Sequence, residues 1–363
     1  MKETEVKKAD KTEDEKRSRQ FGGIRYSLTE TCLVVITILT VGFVLSKAAQ
    51  VAIPFLLAFL LALLLSPLMR VGQKYKVPPP ITVVIILAAL VAVLLPMGIL
   101  INSRLQGMMD ILPNYYTKLV NIGRVLLTQV DIPEDFWVTI NWYNTIGRYL
   151  SGVTGFMLGW MGTLVMVMVF LIFMLMESVN IEFRIKSAFG GDDGFKIWEI
   201  CHKIAAHVSK YLRTLAVISA ATGICVWIAL TLIGVDFAMT WGLVAFFLNF
   251  IPTIGSIIAS IPPIMIAIVQ FFPDWIPALL TLFSLLMIQF TIGNIMTPQI
   301  MGDTLDLSPV LILISLLFWS LIWGISGALM SVPIAVVIRI VCENIPKLNF
   351  LAVLMSSPKA RKD

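Results

Sequence analysis

Charge is what this sequence has least of. Asp, Glu, Lys and Arg make up 13% of its 363 residues, against about 25% in an ordinary soluble domain. With 58% of the residues hydrophobic, water alone cannot keep such a surface in solution. Histidine is nearly absent: His202 and His207 are the only two, five apart and beside Cys201. Ligands sharing one helical face are three or four apart, so neither a metal centre nor an acid–base pair is expected there. The four cysteines, Cys32, Cys201, Cys225 and Cys342, show no zinc-type spacing, which predicts free thiols without a disulfide. No Gly-Lys-Ser/Thr phosphate loop occurs, so the chain carries no ATP engine of that kind. No catalytic constellation is visible either, and the chain is read as a non-enzyme without a cofactor. The opening residues lack the brief apolar core and small-residue cleavage site of a secretory signal.

What is present is apolar and segregated. Seven runs contain no charge: 48–69, 77–103, 149–176, 214–235, 237–273, 275–302 and 307–338. About 20 apolar residues cross a hydrocarbon core, so each can span, and a shorter run at 31–46 adds a first helix. The chain therefore reads as an all-α, polytopic helical membrane protein. It has about five to six full spans, two interrupted re-entrant hairpins and amphipathic surface helices. By region this gives a charged cytosolic tail at 1–30, without fixed structure, and membrane helices at 31–103. An outer amphipathic segment at 104–148, a membrane helix at 149–176 and a cytoplasmic amphipathic segment at 177–213 follow. A transport core at 214–338 and a basic cytosolic terminus at 339–363 complete the chain.

Basic residues set the orientation. With the N-terminus inside, 22 Lys and Arg fall on the cytoplasmic side and five, Lys47, Arg104, Lys118, Arg124 and Arg148, outside. This asymmetry accounts for the pI near 9.0 without nucleic acid. Both termini are expected on the cytoplasmic side of the membrane. Within the cytoplasmic segment, 195–213 sets Ile197, Ile200, Ile204, Val208 and Tyr211 among Lys196, Lys203, Lys210 and Arg213. That pattern suits a helix lying on the anionic leaflet.

Two of the runs, 237–273 and 307–338, exceed a single span, and Gly or Pro interrupts each. The stretches Ile254-Gly-Ser-Ile-Ile-Ala-Ser-Ile-Pro262 and Ile325-Ser-Gly-Ala-Leu-Met-Ser-Val-Pro333 share an Ile, paired small residues, a Ser and a Pro at one spacing. Interrupted apolar segments in corresponding positions point to a transport site; small residues also simply let membrane helices pack closely. If 275–302 crosses once, the two hairpins dip from opposite sides, as in an inverted repeat.

Polar groups inside these runs are the candidate solute contacts, because an unsatisfied amide or hydroxyl at membrane depth costs several kcal/mol. Asn249, Pro252, Thr253, Gly255, Ser256 and Ser260 surround the first break. Gln289, Asn294, Thr297 and Gln299 lie on the single crossing, and Ser326 and Ser331 surround the second break. Uncharged donors and acceptors suit a small polar, hydroxylated solute; helix–helix hydrogen bonding is the competing role of each. Asp303 and Asp306 are candidates for coupling proton or sodium movement, although a carboxylate at Asp306 also suits a helix N-terminus.

At these same residues the chain resembles the autoinducer-2 exporter family of bacterial membrane proteins. The resemblance runs from about Ile53 to Ile345. It is densest in Trp241-Gly-Leu-Val-Ala-Phe-Phe-Leu-Asn-Phe-Ile-Pro-Thr-Ile-Gly255, Gly293-Asn294, Pro298-Gln-Ile-Met-Gly302 and Ser331-Val-Pro333. It implies a homo-oligomeric exporter of small signalling molecules, a pentamer being one candidate assembly, with sodium/proton antiporters among the relatives. The expected function is gradient-driven efflux of a small polar metabolite such as autoinducer-2. A monovalent cation/proton antiporter and a non-transporting membrane scaffold are the alternatives.

Overall fold

The computed structural model describes residues 28–127, 162–252, 254–301, 307–345 and 348–356. Most of the charged tail, the outer segment beyond Leu127, Thr253, Asp303 and Asp306 lie outside them. The described residues form helices and no strand, with one isolated backbone bridge between Leu307 and Ser356. In chain order the helices are α1 (Leu28–Lys47), α2 (Ala49–Lys74), α3 (Pro79–Leu127), α4 (Gly162–Glu177) and α5 (Ile181–Phe189). There follow α6 (Gly191–Ile233), α7 (Ala238–Leu248), α8 (Ile254–Phe271) and α9 (Ile276–Phe290). A π-helical segment (Thr291–Met296), α10 (Thr297–Met301), α11 (Pro309–Asn344) and α12 (Asn349–Met355) complete the order.

Among the described residues six helices are long and apolar enough to cross a membrane, or seven if α4 and α5, bent by 66° at their junction, count as one span. Their outward faces are apolar: Leu232, Phe283 and Leu321 are 83%, 65% and 88% exposed. Such faces at such length belong in hydrocarbon, and the chain is a multi-pass membrane protein.

Packing divides into separate cores. One joins α2, the first half of α3 and α4 through Ala58, Met69, Val83, Ile86, Val167, Leu171 and Leu175. The other joins α6, α7, α8 and α9 through Val226, Leu230, Trp241, Ala245, Ala259, Ala267, Ala278 and Leu285. Helix α6 is the hub, packing against α5, α7, α9 and α11.

Residues 195–213 do not form a separate surface helix. They are the first half of α6, which continues unbroken into the span to Ile233, because no Gly or Pro stands between Phe195 and Thr222 to stop it. The glycine cluster at 190–194 ends α5 at Gly190, but Gly191 already opens α6. Likewise α3 runs from its span into the outer segment without interruption, as far as Leu127.

Candidate functional site

Both long runs fold back on themselves. Residues 309–344 would measure about 54 Å as one rod at 1.5 Å per residue, far more than a bilayer core needs. Gly324 prevents this, with φ 60° and ψ −138°, a conformation essentially reserved for glycine. The arms on either side lie against each other: Ser315 Oγ donates to the Ser331 carbonyl at 2.8 Å across the hairpin. In the first hairpin, α7 and α8 pack together around a turn that includes residues 249–252. The Ile254 amide donates to the Pro252 carbonyl at 2.6 Å, and Gly255 to Ile251 at 3.2 Å.

The two similar stretches do not form the breaks. Each begins the returning arm directly after its turn, with Pro262, Pro263 and Pro333 inside helices. Membrane helices accommodate such prolines because neighbouring groups satisfy the freed carbonyls. What the stretches share is room for a tight return: a β-carbon at Gly255 would collide with the Leu248 carbonyl, and one at Gly327 with that of Trp319.

Helix α6 holds the first hairpin by backbone contact and by a polar bond. A β-carbon on Gly223 would sit 2.7 Å from the Gly242 carbonyl, and one on Gly242 equally close to that of Gly223. The two chains thus cross at glycines, as small residues permit in membranes. One turn along α6, fully buried Ser219 accepts a 3.0 Å hydrogen bond from the Asn249 side-chain amide at the hairpin turn. Ser219 was not among the sequence candidates. Its only signal was a hydroxyl within an apolar run, 30 residues from its partner.

The first turn meets the second hairpin. Ile251, in the first, is buried against Leu316 and Ala328 on the two arms of the second, with Leu248 beside them. Of the candidates, Asn249 is bound to Ser219, Pro252 is half-buried at the turn, and Gly255 is buried in the first turn of α8. Ser256 and Ser260 are half-buried on that arm, Ser260 donating to the Ser256 carbonyl at 2.9 Å. Ser326 is half-buried two residues past Gly324. Ser331 is fully buried and donates to the Ala328 carbonyl of its own arm at 2.7 Å, so its hydroxyl is engaged within the helix instead of facing a solute.

The single crossing does not join this contact: α9 packs against α6 and α8, and the π segment and α10 against α6. Gln289 is half-buried, whereas Asn294 and Gln299 are exposed. Pro298 explains the widened turn at their centre. Its ring cannot follow an α-helical carbonyl and it has no N–H to give. The Thr297 amide therefore bonds back to Ile292, as does its hydroxyl at 2.7 Å, and the Gly293 carbonyl loses its usual helical donor. Wide turns of this kind recur at functional positions.

The histidines take no part. The His202 ring lies 5.6 Å from that of Trp198, and His207 Nδ1 pairs with the Lys203 carbonyl at 2.8 Å.

Residues 33–347 match the family model described as the AI-2E family transporter. The AI-2 transport protein TqsA of Escherichia coli strain K12 is 31% identical over 315 residues, covering 85% of this chain and 90% of that protein. YhhT of the same organism is 31% identical over 326 residues, covering 86% and 91%. A protein of Borreliella burgdorferi is 30% identical over 324 residues, covering 89% of each chain.

Proposed function

Because the chain belongs to the AI-2E transporter family, we propose that it exports a small polar signalling metabolite of the autoinducer-2 kind, drawing on an ion gradient. The observation that supports this best is the contact of Ile251 with Leu316 and Ala328. There the turn of one broken membrane segment is seated on both arms of the other, with the Asn249 amide at that turn and the Ser326 hydroxyl two residues past Gly324. Uncharged donors and acceptors next to interrupted backbone match a hydroxylated solute without fixed charge. TqsA, whose name states AI-2 transport, supports this solute class. Names such as YhhT carry no solute, so the cargo rests on chemistry and on that one relative.

The single crossing supplies the second wall of the pathway in this reading. Exposed Asn294 and Gln299 would be costly against lipid, which favours a water-filled path or a second copy of the chain beside them. A homo-oligomer in the bacterial inner membrane, with both termini cytoplasmic, provides that neighbour. Asp303 or Asp306 is the proposed coupling carboxylate.

Reconstituted vesicles test the reading. Labelled autoinducer-2 is expected to leave vesicles faster with the protein and an imposed proton or sodium gradient than with either alone. Proton movement on sodium addition without organic solute would favour the antiporter instead, and movement of neither would leave a scaffold.

A further inference from the structure

Away from Ile251 and its contacts, the opposite end of the first hairpin carries a polar network that the transport reading does not use. Between α6 and α7 the chain turns at residues 234–237, where Gly234 has φ 86° and Phe237 φ 60°. A left-handed residue with a β-carbon costs about 1–2 kcal/mol, so such a turn persists only when its surroundings hold it. Gln270, in the last turn of α8, does so: its Oε1 accepts from the Asp236 amide at 2.9 Å and its Nε2 donates to the Gly234 carbonyl at 2.8 Å. The mouth of the hairpin is thereby stitched shut from within.

The distal half of α3 docks on that stitched mouth. Tyr115 OH donates to Asp236 Oδ2 at 2.5 Å, and Lys118 Nζ donates to the Gln270 carbonyl at 2.9 Å. Tyr115 and Lys118, three apart, share one face of α3. Met108 packs beneath against the core of α6–α9, whereas the first half of α3 belongs to the other core, with α2 and α4. Helix α3 is therefore a strut between two packing groups, fastened at its far end by two polar contacts at a half-exposed surface.

We propose that the Tyr115–Asp236 contact is a releasable latch, which ties α3 to the first hairpin and opens in each transport cycle. The inference rests on the transporter reading and regulates the same hairpin. Release leaves the strained turn intact, because Gln270 and not α3 holds it, and water can replace both contacts that are broken. If the hairpin and its core shift relative to α2–α4 during transport, these two contacts must part, together with the Met108 packing and the 2.7 Å bond from Ser209 of α6 to the Leu63 carbonyl of α2.

Cross-linking tests this in full-length protein whose four native cysteines are replaced by Ser. In vesicles, the double variant Tyr115→Cys/Asp236→Cys is treated with a short, cleavable bifunctional thiol reagent. Transport is expected to fall at least tenfold on cross-linking and to return on cleavage; undiminished transport by cross-linked protein would overturn the latch. A second measurement needs no transport. Tyr115→Phe keeps the ring and removes one bond to a charged acceptor, a loss that shifts an opening equilibrium by roughly tenfold to a hundredfold. Thiol labelling of Met108→Cys, on the face of α3 packed against the α6–α9 core, is expected to accelerate by about tenfold in that background; an unchanged rate would also overturn it. Should the native chain move no solute, the transport reading fails, while the labelling arm still reports on the latch.

Discussion

Replacing Gly223 with Ala adds one methyl at the crossing of α6 and α7, and the structure sets its cost. The new carbon would lie 2.7 Å from the Gly242 carbonyl and 2.9 Å from Phe246 Cβ, against an ordinary contact of 3.4 Å or more. Neither neighbour is the free end of a flexible side chain, so α7 must recede by roughly 0.7 Å. One turn away, the Asn249–Ser219 bond is already 3.0 Å long; stretched by that amount it exceeds about 3.5 Å and ceases to be a hydrogen bond. Overpacking costs about 1–3 kcal/mol, and a polar bond between membrane helices adds about 0.6–1.7 kcal/mol. The sum, about 2–5 kcal/mol, is measurable by reversible unfolding in mixed micelles. Gly98→Ala is the control, because its methyl meets nothing within 4 Å and gains about 1 kcal/mol of helix propensity. Equal stability of the two variants would refute backbone contact between α6 and α7, and with it the anchoring of the first turn.

Asn249→Leu and Asn294→Leu are each expected to abolish efflux from vesicles while leaving membrane insertion and oligomer size unchanged; normal efflux by both would remove these residues from the pathway. Gly324→Ala forces a β-carbon into a backbone conformation costing about 1–3 kcal/mol, which should lower the melting temperature in detergent more than Gly98→Ala does. Ser315→Ala removes the hydroxyl bridging the arms of the second hairpin and should cost about 1 kcal/mol in the same assay. Burial first, and then the Asp236 carboxylate, raise the Tyr115 phenol well above its ordinary 10.0. The folded state therefore keeps this proton more tightly than the unfolded chain, and its contribution is complete below pH 10 and declines as pH rises further. Unfolding measured between pH 8 and 11 should show a shallower alkaline loss in Tyr115→Phe than in the native chain.

The helical class and the two folded-back segments were legible because both depend on local quantities: runs too long for one crossing, with glycine or proline inside. The positions of the turns were less so. Pro262 and Pro333 drew the breaks towards themselves, yet in a membrane helix a proline is a tolerated defect. The actual turns fall just upstream, at Gly324 and in the Asn-Phe-Ile-Pro stretch at 249–252. The continuity of α6 was hidden by its own charges, since Lys203, Lys210 and Arg213 mark where a helix leaves apolar surroundings and not where it ends. Ser219 could not be found by pattern, because its role exists only through a partner 30 residues away. The separation of the single crossing from the second hairpin is likewise a matter of long-range packing. The wide turn before Pro298 was not read from the sequence, because Pro262 and Pro333 sit in membrane helices without one.

The unbroken course of α6 has a mechanical consequence. Its 43 residues make a rod about 65 Å long. One stretch of it bears the Lys203–Glu343 ion pair at 3.1 Å, while Ser219 lies about 24 Å further on. Without a kink to absorb rotation, whatever pivots the charged stretch also carries the serine that grips Asn249. Substitutions around Lys203 are therefore not remote from the hairpin junction: they act on it through a lever.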